Sequence, residues 1–123
     1  MKTNYDLGLL ILRLGFGGLM LTHGIPKLEM LNDPSSFGDP IGLGSTISLI
    51  LCLIGEVLAP ALLIIGFKTK LAAIPAAITM AVAAFVVHGN DPLQNKEMAL
   101  LYLITFTALI FTGAGRYSID GRK

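Results

Sequence analysis

The stretch from Ser45 to Gly66 carries a single charge, Glu56, among residues that are otherwise overwhelmingly apolar. At about 1.5 Å of rise per residue such a stretch reaches roughly 30 Å as a helix, the thickness of a bilayer's hydrocarbon core. An acid at that depth needs a partner, and ionisable groups inside a membrane usually mark function. Arg13, the charge inside the apolar run Leu7 to Thr22, is the expected partner.

Composition agrees with a membrane assignment. Of 123 residues, 54% are hydrophobic and 14% charged, and the mean hydropathy is +0.75, which leaves little polar surface for a soluble globule. Nine Lys and Arg against eight Asp and Glu exclude the basic surface expected of a nucleic-acid binder. The one cysteine, Cys52, rules out an intrachain disulfide and any CxxC motif.

Four apolar runs, Leu7 to Thr22, Ser45 to Gly66, Leu71 to Val87 and Met98 to Ala114, predict spans at about 5–23, 45–66, 71–88 and 98–115. Because backbone polar groups must pair within each segment in lipid, these are expected to be helices. The fold class is therefore all-α: one domain over 1–123, an integral membrane four-helix bundle. The first run resembles a signal peptide, but Arg13 interrupts it and no A-x-A-like cleavage site follows, so it is kept in the mature chain. With four spans the termini share a side with Phe67 to Lys70. That side collects Lys2, Lys68, Lys70, Arg116, Arg122 and Lys123, against Lys27 and Lys96 opposite, which predicts cytoplasmic termini. The outer loop HGIPKLEMLNDPSSFGDPIGLG holds Pro26, Pro34 and Pro40, which are expected to break any continuous helix. Its Leu28, Met30, Leu31 and Phe37 suggest a short interfacial or re-entrant segment.

Arg13 and Glu56 should differ in depth by roughly 4 to 5 Å, a gap that a guanidinium can bridge to a carboxylate bidentately. Pro60, four residues after Glu56, removes the amide that would bond to the Glu56 carbonyl and leaves an acceptor beside the acid. Two readings of the pair stand open. One is a buried salt bridge that fixes helix register. The other is an intramembrane polar site of Arg13, Glu56 and Cys52, with Cys52 one turn before Glu56, holding the head of a quinone-like or thiol-containing molecule. His23, Lys27 and His88 form a second, outer-face candidate site. Two histidines without a third His or Cys fit a metal poorly, so no metal is expected, and interfacial hydrogen bonding or substrate contact is the preferred role. Gly8, Gly15, Gly18 and Thr22 in the first span, and Ala77, Ala81, Ala84 and His88 in the third, read as stripes of close helix packing.

Several segments together resemble the DoxX family of small four-span membrane proteins. They are LRLGFGGLMLTHGIPKL with His23, Gly24, Lys27 and Leu28, then Glu56 in GEVLAPALLIIGFKTKLAA, then His88, then GAGRYSID. The resemblance implies a four-helix bundle in a bacterial or archaeal cytoplasmic (inner) membrane. Some relatives are subunits linked to thiosulfate oxidation with quinone as acceptor, or belong to redox-stress complexes. No GxGxxG fingerprint opens a βαβ unit here and there is one thiol, so electrons for a redox reaction are expected from elsewhere.

The leading expectation is a membrane subunit of a quinone- or thiol/sulfur-linked redox system, with quinone as the expected cofactor and no self-contained catalytic motif. The alternative is a small-molecule binding or transport protein, or a structural membrane partner. Expected partners are the lipid bilayer, a quinone or other small apolar ligand, and a redox protein or a second copy of the chain; nucleic acid is not expected.

Overall fold

A computed structural model describes residues 4–122, and among them every regular element is helical. Lys2 and Lys123, which entered the charge count, fall outside the described residues. Helix α1 runs over Tyr5–Gly24 and passes directly into a 3-10 segment, Ile25–Asn32. Helix α2 covers Ser45–Ile65, α3 covers Thr69–Val87 and α4 covers Leu93–Thr112. Three helical segments, Tyr5–Asn32, Ser45–Ile65 and Thr69–Val87, are long and apolar enough to cross a membrane. The chain is thus a multi-pass membrane protein in contact with the lipid bilayer.

The outer loop departs from expectation. Pro26 falls in the first turn of the 3-10 segment, where a proline's missing N–H would have had no helical partner in any case. The helical path therefore continues from α1 to Asn32 and carries Lys27 one turn beyond His23. Asp33 to Gly44 then folds back as a short cap, with a 3-10 turn at Pro34–Ser36.

Helices α2 and α3 each contain one widened π turn, Ile54–Leu58 in α2 and Ala83–Val87 in α3. The first has an evident cause, because Pro60 lacks an N–H and its ring crowds the carbonyl four residues back, and a π turn relieves that conflict. In it, the Ala59 amide bonds to the Ile54 carbonyl. The second closes with the His88 amide on the Ala83 carbonyl at 3.0 Å. Glu56 lies within one π turn and His88 directly follows the other.

The core is built where small residues let helices approach. Ala73 and Ala76 of α3 are fully buried against Phe106 and Leu109 of α4, with Met20 and Leu63 closing the other side. Without a hydrophobic drive between helices in lipid, such close packing is what holds them together. The stripe expected on α1 is not the packed one. Space is open around Gly8, Gly15 and Gly18, whereas the buried residues are Arg13, Gly17, Met20 and Gly24. These recur at i, i+4, i+7 and i+11, the period of one helix face. On α3 the expectation fares better, since Ala77 and Ala84 are buried.

One end of the molecule gathers three chain segments. Asp6, in the first turn of α1, accepts a hydrogen bond from the Arg116 amide at 2.9 Å. Asp120 accepts from the Lys68 and Thr69 amides, both at 2.8 Å, and so caps the start of α3. The Ile65 and Gly66 carbonyls accept from the amides of Ile119 and Asp120. The start of α1, the α2–α3 turn and the C-terminal segment therefore meet, and the Ile25–Asn32 segment and the α3–α4 turn occupy the other end.

Candidate functional site

Arg13 and Glu56 do not meet. Arg13 is fully buried, and its Nη1 donates to the carbonyls of Leu63 and Ile64, each at 3.1 Å, while Nη2 donates to the Tyr117 carbonyl at 2.5 Å. The helix direction explains this. Arg13 lies in the first half of α1, which runs antiparallel to α2, and so stands level with the C-terminal end of α2, seven or so residues beyond Glu56 and about 10 Å farther along the axis. That end of α2 closes in a Schellman turn, with Gly66 at φ +70° and the Phe67 amide on the Leu62 carbonyl at 3.0 Å. Arg13 shares the Leu63 carbonyl with the Gly66 amide and takes the Ile64 carbonyl beside it, where the helix dipole also favours a cation. A side chain at Gly66 would meet both Ser118 and the Arg13 guanidinium. Arg13 is a structural cap and leaves the proposed ligand site.

Glu56 has a different cation. Lys27 Nζ donates to both carboxylate oxygens, at 2.8 and 2.9 Å, and the Cys52 thiol donates to Oε2 at 2.8 Å. Lys27 Nζ also stands 3.9 Å from the Cys52 sulfur. The two groups proposed from sequence thus exchange a member: Lys27 of the outer-face set joins Glu56 and Cys52, and Arg13 drops out. Glycine at position 24 makes this possible, because any side chain there would collide with the Glu56 carbonyl. The close crossing presses the end of α1 against the π turn of α2 and brings Lys27 over the acid. The carboxylate side chain is 5% exposed and the lysine 32%, so one partner is buried and the other is part-exposed.

His23 and His88 lie around the same centre. With Lys27, Glu56 and Tyr102 they line a cavity of about 340 Å³ whose far wall is the polar first turn of α4, Gln94 and Asn95. The His23 ring meets Tyr102 edge-on at 5.9 Å, and Tyr102 stacks on Phe106. His88 Nδ1 is 2.8 Å from Asp91 Oδ2, which orients the ring. A second cavity of about 400 Å³ lies between α2, α3 and the cap, with walls that include Ile41, Leu51, Ile78 and Val82. Lys27, Glu56, Ala83 and His88 line both cavities. The ion pair therefore stands at the junction of a polar chamber and an apolar groove. Such volumes lie within the range of small-molecule sites, roughly 300–1,000 Å³.

Sequence reasoning missed two members of this region. Tyr102 is a phenol within the last apolar run, a signal that was present but not weighed. Asp39 is the other. It accepts from the Gly44 amide at 3.0 Å and from the Ser48 hydroxyl at 2.8 Å, fastening the cap to the start of α2. The Ser48 hydroxyl is the main reason its carboxyl is held below the ordinary aspartate range, with the Gly44, Gly42 and Leu43 amides acting in the same direction and partial desolvation opposing them.

The comparisons with known proteins cover most of this site. The DoxX family profile matches residues 8–89, a range that includes His23, Lys27, Cys52, Glu56 and His88 but stops short of Tyr102. An uncharacterised protein of Haemophilus influenzae is 31% identical over 126 residues, covering 93% of this chain and 89% of the relative. CatD of Bacillus subtilis, whose name assigns it provisionally as an oxidoreductase, is 27% identical over 121 residues, covering 98% of this chain and 90% of its own. No solved structure matches. The profile spans well over half of the chain and ends at the His88 wall of the cavity, and the chain belongs to the DoxX family.

Proposed function

We propose that this protein is a membrane subunit of a redox system that binds a quinone at the Lys27–Glu56 centre. The observation that supports this most is the placement of a buried carboxylate, shared by an ammonium and a thiol, at the junction of a polar chamber and an apolar groove. A quinone supplies two-electron, two-proton chemistry at its ring carbonyls. The residues here suit the protein's share of it. Lys27 and the two histidines are hydrogen-bond donors for ring oxygens, and Tyr102 offers an aromatic face beside His23. Glu56, which accepts hydrogen bonds from Lys27 and Cys52, is placed to exchange a proton at its carboxylate, with the part-exposed Lys27 between it and the outside. Electrons come from a partner protein, a reading in keeping with the name of the Bacillus relative.

In this reading α4 is the fourth span, its apolar part beginning at Met98 after the polar turn Gln94 to Glu97. The end that holds Asp6, Lys68 and Arg116 faces the cytoplasm of a bacterial or archaeal cell on the positive-inside rule, and the chambers open toward the outer half of its cytoplasmic membrane.

Purified protein incubated with ubiquinone and menaquinone analogues in detergent, then separated and extracted, tests the reading. About one quinone per chain is expected for the native protein, and Glu56→Gln should lower retention by roughly tenfold, as loss of a charge-assisted contact would. No retention of either analogue by the native protein would remove the quinone and leave a binding or transport role without redox chemistry.

A further inference from the structure

We propose that the groove between α2 and α3 is the tail lobe of the ligand site: it houses the single apolar chain of a molecule whose head lies in the polar chamber, and it admits that molecule sideways from the lipid. This rests on the quinone reading of the chamber and adds the shape and route of its ligand.

The argument starts from the junction. Lys27, Glu56, Ala83 and His88 belong to both cavities, so the two spaces share a wall along one ion pair and one π turn. Their chemistry is unlike. The chamber mixes imidazole, phenol, amide and charged groups with Met20, Met80 and Met98, whereas the groove beyond the junction is bordered chiefly by aliphatic side chains, with Val82 and Ile78 of α3 facing Leu51 of α2. Its rim is lipid-facing, since Leu51, Ile78 and Val87 are 44%, 60% and 56% exposed on helices apolar enough to cross the membrane. A headgroup-sized polar molecule would leave this groove empty. A molecule with two apolar chains would place one in the groove and leave the second outside it in the lipid, with no lobe of its own. One polar head with one chain matches both lobes and their order along α3, from His88 back to Ile78.

The π turn Ala83–Val87 has a place in this scheme. It widens α3 where head and tail would join, and Ala83, the smallest side chain at that junction, lines both lobes. The energetic expectation is asymmetric. A chain leaving lipid for a protein groove exchanges one apolar surround for another, so the tail lobe contributes mostly route and orientation, and affinity comes from the head. Position of the bound chain is therefore a sharper readout than affinity.

The test is photolabelling of the full chain in lipid nanodiscs with two synthetic benzoquinones, each bearing one isoprenoid-length chain. One carries a diazirine on the ring, the other at the far end of the chain. Peptide mapping should place the ring label on residues of the chamber, such as Met98 or Tyr102, and the tail label on Leu51 or within Ile78 to Val82. Val82→Phe should fill the groove and reduce the tail label there by about tenfold, as steric exclusion of a packed chain would. If the ring label maps to the chamber while the tail label maps to lipid-facing residues elsewhere, such as Ile104 or Phe111, the tail lobe is wrong and the quinone reading survives. If neither probe labels the site, the quinone reading itself fails and takes the tail lobe with it. Unchanged tail labelling in Val82→Phe would also overturn the assignment of the groove.

Discussion

Arg13 and Glu56 are both charged and both buried, yet the protein treats them in opposite ways. Arg13 is hydrogen-bonded to backbone, with the Asp120 carboxylate close enough to act on its charge. Its hydrogen bonds end on carbonyls of α2 and of the C-terminal segment, groups that cannot leave or change charge. Glu56 is held by side chains, one of which is a third exposed, and it borders two cavities. A buried charge satisfied by fixed dipoles is part of the frame. One satisfied by mobile, titratable partners next to open space can exchange protons or ligands. Burial of a charge does not by itself separate these cases, and the identity of its partners does.

The largest expected effect is at the closed site. Arg13→Ala strips three carbonyls of a charged donor and unfastens the C-terminal segment from α2, at a cost of about 2–4 kcal/mol. Unfolding in detergent micelles should show it as a clear loss of stability, with Arg13→Lys recovering part, since an ammonium keeps the charge at the helix end but lacks the planar fork. Quinone retention per folded molecule should stay near the native level in Arg13→Lys. A variant that stays fully stable but loses its ligand would reverse the comparison, making Arg13 the functional charge.

At the open site the two partners should differ. Lys27→Met leaves a nearly buried carboxylate with only the thiol beside it, whereas Glu56→Gln leaves a lysine that can turn to water, so the lysine change should cost about 2 kcal/mol and the glutamate change about 1. A double-mutant cycle between Lys27 and Glu56 should show coupling of about 1 kcal/mol or more, and a cycle between Arg13 and Glu56 should close to within roughly 0.5 kcal/mol. Coupling in the second cycle and none in the first would mean that the depth argument from sequence was right after all.

Much of the frame was legible because the membrane makes it so. Apolar runs separated by polar turns point to helices, and three described helical segments are long and apolar enough to cross a membrane, the first of them running on to Asn32. The partners of the charges were not legible, for reasons that can be stated. Depth along the membrane normal pairs Arg13 with Glu56, but depth does not fix which groups compete, and the carbonyls at the end of α2 compete well for a guanidinium. Counting Pro26 as a breaker puts Lys27 in a loop. A proline in the first turn of a helical segment breaks nothing, and His23 and Lys27, four residues apart on a continued helical path, then line one chamber. The packing face of α1 was missed for a similar reason: counting glycines picked Gly8, Gly15 and Gly18, while the period that contains Arg13 picks Gly17 and Gly24.

The smallest expected effect lies at the opposite end of the helix that Arg13 caps. Asp39 holds the first turn of α2 as an anion at a helix N-terminus, just as Arg13 holds the last turn as a cation. The difference is exposure, because this cap sits in water and is screened by it. Its carboxyl is held below the ordinary range in the folded protein, chiefly by the Ser48 hydroxyl. The stabilising contribution is therefore fully present above the unfolded value of about 3.9 and is lost as pH falls through the folded value. Amide exchange at Gly44, corrected for intrinsic rates, should be slow at neutral pH and should quicken as the pH is lowered below about 4. Asp39→Asn should remove that pH dependence while leaving overall unfolding nearly unchanged. Uniform protection across this pH range in the native protein would mean that the start of α2 is held by packing alone, and the symmetry between the two ends of the helix would then fail.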